Sequence, residues 1–429
     1  MHADVDVAVI GAGAAGLGAA RALQSAGLSV LILEARDRIG GRAWTTTLPD
    51  GIVFDIGCEW LHSANKNVFV SIARSLDLPL SDAGASWNEL MGHSGIPEAD
   101  QLEFREAFRA FEARLDLSQV LAGDVPASTF LEPGNRWNPL IDAESTYVSG
   151  AELNIVSAHD AAAYDDTHND WRAVNGYGNL IVTHGQHCPV ALGTRVEVIE
   201  WTSKGVTIET SKGRFHAQYA ICTIPSNLIA GEAITFRPKL ADKIEAASGL
   251  PLGYAEKVLL RVDRPEELPG DGHFFGSTVR VETGSYDIRP LGQPCIVGYF
   301  GGSFAKSLAE EGSAALFDAA IEEVVELLGT DFRRRIKPEL ASSWMTDPFA
   351  TGSYSHALPG KAQCRRILAA PVDARLFFAG EATSSKLYST AHGAYLTGVR
   401  AANEILNARV GPAKKGPLRR IERNSKAPA

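Results

Sequence analysis

The 429-residue sequence has little cysteine, no long apolar run and a deficit of positive charge. Its five cysteines, Cys58, Cys188, Cys222, Cys295 and Cys364, are odd in number, scattered, and include no Cys-x-x-Cys pair. Neither a disulfide framework nor a structural zinc site is therefore expected, no metal is expected at all, and a reducing compartment, the cytoplasm, is the simplest expectation. No stretch of about 20 uninterrupted apolar residues occurs, so no spanning helix is expected. The N-terminus lacks a basic n-region and a cleavage pattern, because a strand begins by Val5. Against 51 Asp+Glu stand 41 Lys+Arg, a formal charge of −10. That balance speaks against nucleic acid or an anionic membrane surface as a partner and mildly favours cationic ligands. What is present is an ordinary globular composition, 45% hydrophobic and 21% charged, long enough for two or three domains.

The first forty residues read as strand, turn, helix, strand. Val5 to Ile10 is a mostly apolar β run, Gly11 to Gly16 breaks it, Leu17 to Ala26 supplies helix formers, and Gly27 stops the helix. Ser29 to Leu33 suits a buried parallel strand ending at Glu34. After Arg42 the pattern becomes hairpin-like, and Gln101 to Val120 has the apolar spacing of a helix. Strands are expected at 196–201, 206–210 and 219–223, with Ser-Lys-Gly turns at 203–205 and 211–213. A helix follows at 314–328, a buried strand at 376–379 and a terminal helix at 393–406. From Gly411 the composition turns to Pro, Lys and Arg, as expected of a disordered tail.

Gly11-Ala12-Gly13-Ala14-Ala15-Gly16 fits G-x-G-x-x-G directly after a strand and before a helix. Gly11, Gly13, Ala15 and Gly16 let the backbone approach a pyrophosphate, whose charge sits against the helix N-terminus. Glu34, at the end of the second strand, is placed to bind a ribose diol. A tight turn that binds nothing is the plain alternative.

Beyond Glu34, the run Glu34 to Arg42, with Arg36, Gly40, Gly41 and Arg42, resembles the extended FAD signature of the flavin-containing amine oxidase superfamily. The resemblance continues through Phe54 to His62, including Trp60, which is similar to a polyamine oxidase segment. It runs on through Gly176 to Leu180, the strand at Val196, Cys222 to Pro225, Trp344 to Tyr354, and the closing runs Ala379 to Thr383 and Thr390 to Ala394. What the resemblance implies is specific. FAD would be noncovalent, since Ser353 stands where monoamine oxidases carry their linking cysteine. Arg36, Gly41, Arg42, Val196, Gly380, Glu381, Thr390 and Ala391 would hold FAD, with Trp60 and Trp344 flanking it. Lys257 would hold a water at flavin N5. Tyr354 would form one aromatic wall, Thr390 would replace the second, and His62 would face the amine.

The fold class expected is α/β: a Rossmann-like FAD-binding domain interleaved with an α+β substrate-binding domain carrying a mixed sheet. Residues 1–75, 176–235 and 346–410 would form the first, residues 76–175 (mostly helical) and 236–345 the second, and 411–429 the basic tail. The activity implied is hydride transfer from a polyamine-like amine to flavin, giving an imine hydrolysed to aldehyde, with molecular oxygen reduced to hydrogen peroxide. An L-amino-acid oxidase or FAD-dependent desaturase shares the resemblance, although no carboxylate-binding arginine can be placed from sequence. A non-catalytic flavin-binding redox module is the alternative of another class, and oligomeric state is left open.

Overall fold

The computed structural model describes residues 4–83 and 97–410. The tail from Gly411 lies outside the described residues, as does part of the helical segment expected to begin at 76. The strand Val5–Ile10 stands mid-sheet, parallel to Val30–Leu33 on one side and to Gly213–Cys222 on the other. Beyond Val30–Leu33 the short strand Val190–Ala191 pairs in parallel. Beyond Gly213–Cys222 come the antiparallel strands Gly205–Thr210 and Val196–Thr202 and the parallel strand Thr235–Arg237. Leu376–Phe378 also adds to Gly213–Cys222 in parallel. This eight-stranded mixed sheet thus draws its strands from three separate stretches of chain. Both faces are covered, which is why Val7, Val9 and Ile32 are fully buried while their neighbours Ala8 and Leu33 are nearly so.

The second large sheet is antiparallel throughout: Gly272–Phe275, Ser285–Ile288, Cys295–Gly301, Ala255–Val262 and Ile336–Ala341. The mixed pairing expected of the substrate-binding portion is found in the eight-stranded sheet instead. A three-stranded sheet, Trp60–Leu61, Trp171–Ala173 and Leu80–Ser81, places short strands within the region expected to be mostly helical. That region also holds the helices Glu98–Asp116 and Asn138–Ser149. The former stops short of the expected Val120 because Leu117–Val120 tightens into a 3-10 turn.

The helix Ala14–Ser25 follows the glycine turn, and the closing helix Ala391–Val410 crosses it. Small residues let the two backbones meet. A Cβ at Gly398 would lie 1.9 Å from the Ala15 carbonyl oxygen, and one at Gly18 would lie 2.7 Å from that of Tyr395. Replacing Gly398 by Ala must push the helices apart. The overpacking should cost about 1–3 kcal/mol, seen as a lower midpoint of thermal unfolding, whereas Gln24→Ala, at an exposed position of the first helix, should leave the midpoint unmoved.

Candidate active site

A cavity of about 1350 Å³ is lined by both large sheets, the glycine turn, the helix Glu98–Asp116 and the start of the closing helix. Every candidate residue named from sequence lines it except Gly16. Gly16 serves packing: a Cβ there would stand 1.9 Å from the Gly11 carbonyl oxygen, so its hydrogen lets the first helical turn fold back on the strand end.

One wall is built for an anion with a long polar body. The helix Ala14–Ser25 begins at Gly13 with no side-chain cap, leaving its first N–H groups without intrahelical partners beside Gly11, Gly13 and Ala15. Glu34 is buried, and its carboxylate accepts the Ala12 N–H (2.7 Å) and the Arg36 N–H (2.8 Å). It therefore orders the turn as well as facing the cavity. Arg36 is held by both oxygens of Asp347 (2.8 and 2.7 Å) with Phe349 against its guanidinium. Arg42 reaches the Ser353 carbonyl and the Glu381 carboxylate, the latter at 3.1 Å. Burial would raise the Glu381 carboxyl, but Arg42, the Ser355 hydroxyl and Arg365 hold it below the usual range. Gly40 and Gly41 have φ of +102° and +61°, and a Cβ at Gly41 would stand 3.1 Å from the Gly13 Cα. Side chains at these turns would fill the cradle. Val196 and Gly380 complete this wall, and the N-terminus of Ala391–Val410 faces the cavity at Ala391. Uncapped N–H donors, two arginines and side-chain-free turns fit a dinucleotide diphosphate.

The opposite wall carries Lys257. Its strand, Ala255–Val262, lies between two neighbours rather than at a sheet edge. Its Nζ is buried, donating to the Asp55 carbonyl at 2.8 Å and to Glu59 Oε2 at 3.1 Å, above the Tyr299 ring. Glu59 also accepts the Tyr299 hydroxyl and Arg172 Nε (3.1 Å), and Arg172 continues to Asp287 (2.5 Å) and stacks 3.6 Å from the Trp60 ring. Trp60 is thus fixed by a cation–π contact, and Trp344 by its Nε1–H to the Ile56 carbonyl (3.0 Å). Tyr354 donates its hydroxyl to the Tyr147 carbonyl, which fixes its ring at the cavity. Burial pushes Asp55 up to about 6 even with Lys257 nearby, and pushes the Cys58 thiol, also on the cavity, up to about 12.

Thr390 and His62 are each held by neighbouring groups of the protein. The Thr390 hydroxyl donates to the Leu387 carbonyl (2.8 Å) and accepts the Gly393 N–H (3.0 Å), so it caps the closing helix and contributes no second wall. His62 Nδ1 lies 3.2 Å from Asp170, with Asp166 close by, so that His62, Asp166 and Asp170 bring their ligand atoms within 4.8 Å of one another. Burial would lower the imidazole, but the Asp170 hydrogen bond and both acids hold it above its ordinary value. These acids are already engaged, Asp170 by the Ser63 N–H and Asp166 by the Ser63 hydroxyl and the His168 N–H.

Sequence reasoning missed Glu59, Arg172 and Asp287. Glu59 sits inside the run Phe54 to His62, next to Trp60, and that position was the available signal. The others lie on separate elements that no local pattern connects. The arginines that could not be placed are Arg105 and Arg109, on the cavity face of Glu98–Asp116.

Comparison with known proteins is consistent across sequence and fold. The profile of the family described as flavin containing amine oxidoreductase matches residues 14–406. Polyamine oxidase 2 of Arabidopsis thaliana is 29% identical over 93% of this chain and 87% of its own length. Lysine-specific histone demethylase 1 homolog 1 of the same plant is 29% identical over 94% of this chain. The chain spans about half, 52%, of that demethylase homologue's length. A solved structure of a putrescine oxidase double mutant superposes with a TM-score of 0.77 at 20% identity, covering 94% of this chain and 99% of that one. The chain belongs to the flavin-containing amine oxidoreductase family; it is an amine oxidoreductase and its cofactor is FAD. Replacing Gly16 by Val should dismantle the turn under Gly11 and strip the purified protein of flavin absorbance. Far-ultraviolet circular dichroism should stay near that of the wild type.

Proposed function

We propose that the chain oxidises a polyamine-like secondary or primary amine, with noncovalently bound FAD and with oxygen as final acceptor. The products are an imine, hydrolysed to an aldehyde and, from a secondary amine, a smaller amine or, from a primary amine, ammonia, together with hydrogen peroxide. The observation that carries the reading is Lys257: a buried cation on a central strand, facing the same cavity as a dinucleotide cradle, among Tyr354, Trp344 and Trp60. The names of the relatives, polyamine oxidase and putrescine oxidase, support the substrate class.

FAD, when bound, supplies the acceptor for the substrate's hydride. The chain's own residues do the rest. The Gly11–Ala15 turn and its helix N-terminus bind the diphosphate, assisted by Arg42. Glu34 holds that turn and receives the ribose, while Glu381 keeps Arg42 oriented. The N-terminus of Ala391–Val410, braced by Thr390, would favour negative charge on the bound flavin. Lys257 contributes a fixed positive charge and holds a water with the donor that Asp55 and Glu59 leave over. Tyr354, Trp344 and Trp60 enclose the amine's carbon chain and exclude water, with no strong acid to protonate its nitrogen. His62, steered by Asp170, presents its other nitrogen to the amine. The Ser353 hydroxyl donates to the Gly253 carbonyl (2.9 Å) and offers no thiol for a flavin linkage. On this reading the FAD-binding stretches are 1–75, 176–235 and 346–410, interleaved with the substrate-binding stretches 76–175 and 236–345.

Oxidation of an L-amino acid is the second reading, favoured by Arg105 and Arg109 at the cavity wall. Peroxide release from spermine, spermidine, N-acetylated polyamines, diamines, monoamines and L-amino acids separates the two. Amines should be turned over and amino acids should not; turnover of amino acids alone would replace the proposal, and turnover of neither would leave a redox module. Acid precipitation should release all the flavin into the supernatant. Replacing Lys257 by Met should leave FAD bound but slow reoxidation of the reduced enzyme by oxygen about a hundredfold, followed by rapid mixing.

A further inference from the structure

Among the described residues the largest fully buried side chain is that of Arg365, which lies behind the cavity wall rather than on it. It stands on the helix Cys364–Ala369, and its fork meets Asp160, on the helix Ala158–Ala162, through Nε to Oδ1 (2.6 Å) and Nη2 to Oδ2 (2.7 Å). Asp160 is buried as well. The remaining N–H groups of the guanidinium go to the Ser355 hydroxyl (2.9 Å), the Ser355 carbonyl (3.3 Å) and the Ala382 carbonyl (3.4 Å), and its central carbon lies 3.8 Å from the centre of the Tyr388 ring. Every donor is used. A buried pair of this kind is often replaced by apolar side chains without loss of stability, so stability alone does not account for it.

What sets it apart is its neighbour. The Ser355 hydroxyl accepts from Arg365 and so has its own hydrogen to give, which goes to Glu381 Oε2 at 2.6 Å. The same oxygen takes the Ser389 N–H at 3.1 Å, while Oε1 faces Arg42 at 3.1 Å. Glu381 therefore sits between two arginines, Arg42 in front on the cofactor wall and Arg365 behind, one hydroxyl away. The other charged or titratable groups nearby are turned elsewhere. Arg400 of the closing helix donates to the carbonyls of Phe378 and Thr383, Asp160 is neutralised by Arg365, and burial pushes the His356 ring down to about 4, which leaves it neutral.

We propose that Arg365, braced by Asp160, is a positioning residue for the cofactor: through Ser355 it holds Glu381 in place as a carboxylate, and through Glu381 it aims Arg42 at the FAD diphosphate. The inference concerns the cofactor alone and stands whichever amine is oxidised. A carboxylate held from behind by a hydroxyl whose own lone pair is taken has one direction left, toward Arg42.

The test reads the Kd of FAD from the flavin released when full-length holoenzyme is serially diluted and ultrafiltered, between pH 5.5 and pH 8. Ser355→Ala leaves the Arg365–Asp160 pair intact but cuts its link to Glu381. Relative to wild type it should weaken FAD about tenfold at pH 8 and about a hundredfold at pH 5.5, because the buried carboxyl, less supported in its charged form, takes up a proton as the pH falls. Glu381→Gln should weaken FAD by one factor across the whole range, and in that background Ser355→Ala should add less than about twofold. Arg365→Met should repeat Ser355→Ala; if the unpaired Asp160 prevents folding, the serine variant decides alone. A Ser355→Ala protein that melts at a lower temperature yet keeps wild-type FAD affinity overturns the proposal. So does a loss that is equal at both ends of the pH range and adds fully to that of Glu381→Gln, since the pair would then serve packing and nothing more.

Discussion

The Glu59 carboxylate is the point from which the reacting side of the cavity is built. It receives donors from three strands: Lys257 from Ala255–Val262, Tyr299 from Cys295–Gly301 and Arg172 from Trp171–Ala173. Through Arg172 the chain of charges reaches Asp287, and through Asp287 it reaches His273 at 3.1 Å. Burial would raise Asp287, yet Arg172 and His273 keep its carboxyl below the usual range. Lys257, Arg172, Asp287 and His273 are buried, Glu59 and Tyr299 half-buried, and each is paired, so removing one of the buried charges leaves its partner uncompensated, at a cost of about 3–5 kcal/mol. The network therefore specifies geometry more than it adds stability. It holds a lysine cation on a wall that is otherwise ring and backbone.

On the cofactor side the charge is arranged in the opposite sense. Arg36 and Arg38 lie close enough that burial and their mutual repulsion lower Arg38 to about 10, even with Asp347 and Glu34 opposing. One terminal nitrogen of Arg38 has no hydrogen-bond partner among the described residues. Crowded cations at an uncapped helix start are relieved by a bound polyanion. The electrostatics of the two walls then differ in kind: one awaits negative charge on the cofactor, and the other holds a positive charge of its own beside paired acids.

How far the sequence could be read follows from how local each feature is. The glycine turn, Glu34 and the two flanking strands form one short run whose hydrophobic period and spacing carry their own geometry, and the structure places them together. Lys257 was legible through the family resemblance, but its place inside the sheet follows only from its strand's two neighbours. Thr390 shows the reverse case. Its place in a motif said only that it replaces a second aromatic wall, while the helix start beside it demanded a cap, and the hydroxyl accepts the N–H of Gly393 three residues on. Ion pairs such as Arg172 with Asp287, 115 residues apart, leave no local trace.

The same argument explains why substrate selectivity is the least legible property. The cofactor wall is made by contiguous motifs because a diphosphate needs backbone donors, and backbone donors come in runs. The rest of the cavity is made by side chains from helices Glu98–Asp116 and Asn138–Ser149 and from both flanking sheets, each set in place by distant contacts. Tyr354 is a case in point. Its ring faces the cavity because its hydroxyl is taken by the carbonyl of Tyr147, 207 residues earlier in the chain. Thus the orientation of the aromatic wall depends on one helix, and Gly150 and Gly253 determine how closely that helix approaches the strand of Lys257. A change in that packing would move the ring and the lysine relative to one another while leaving every cofactor motif as it is.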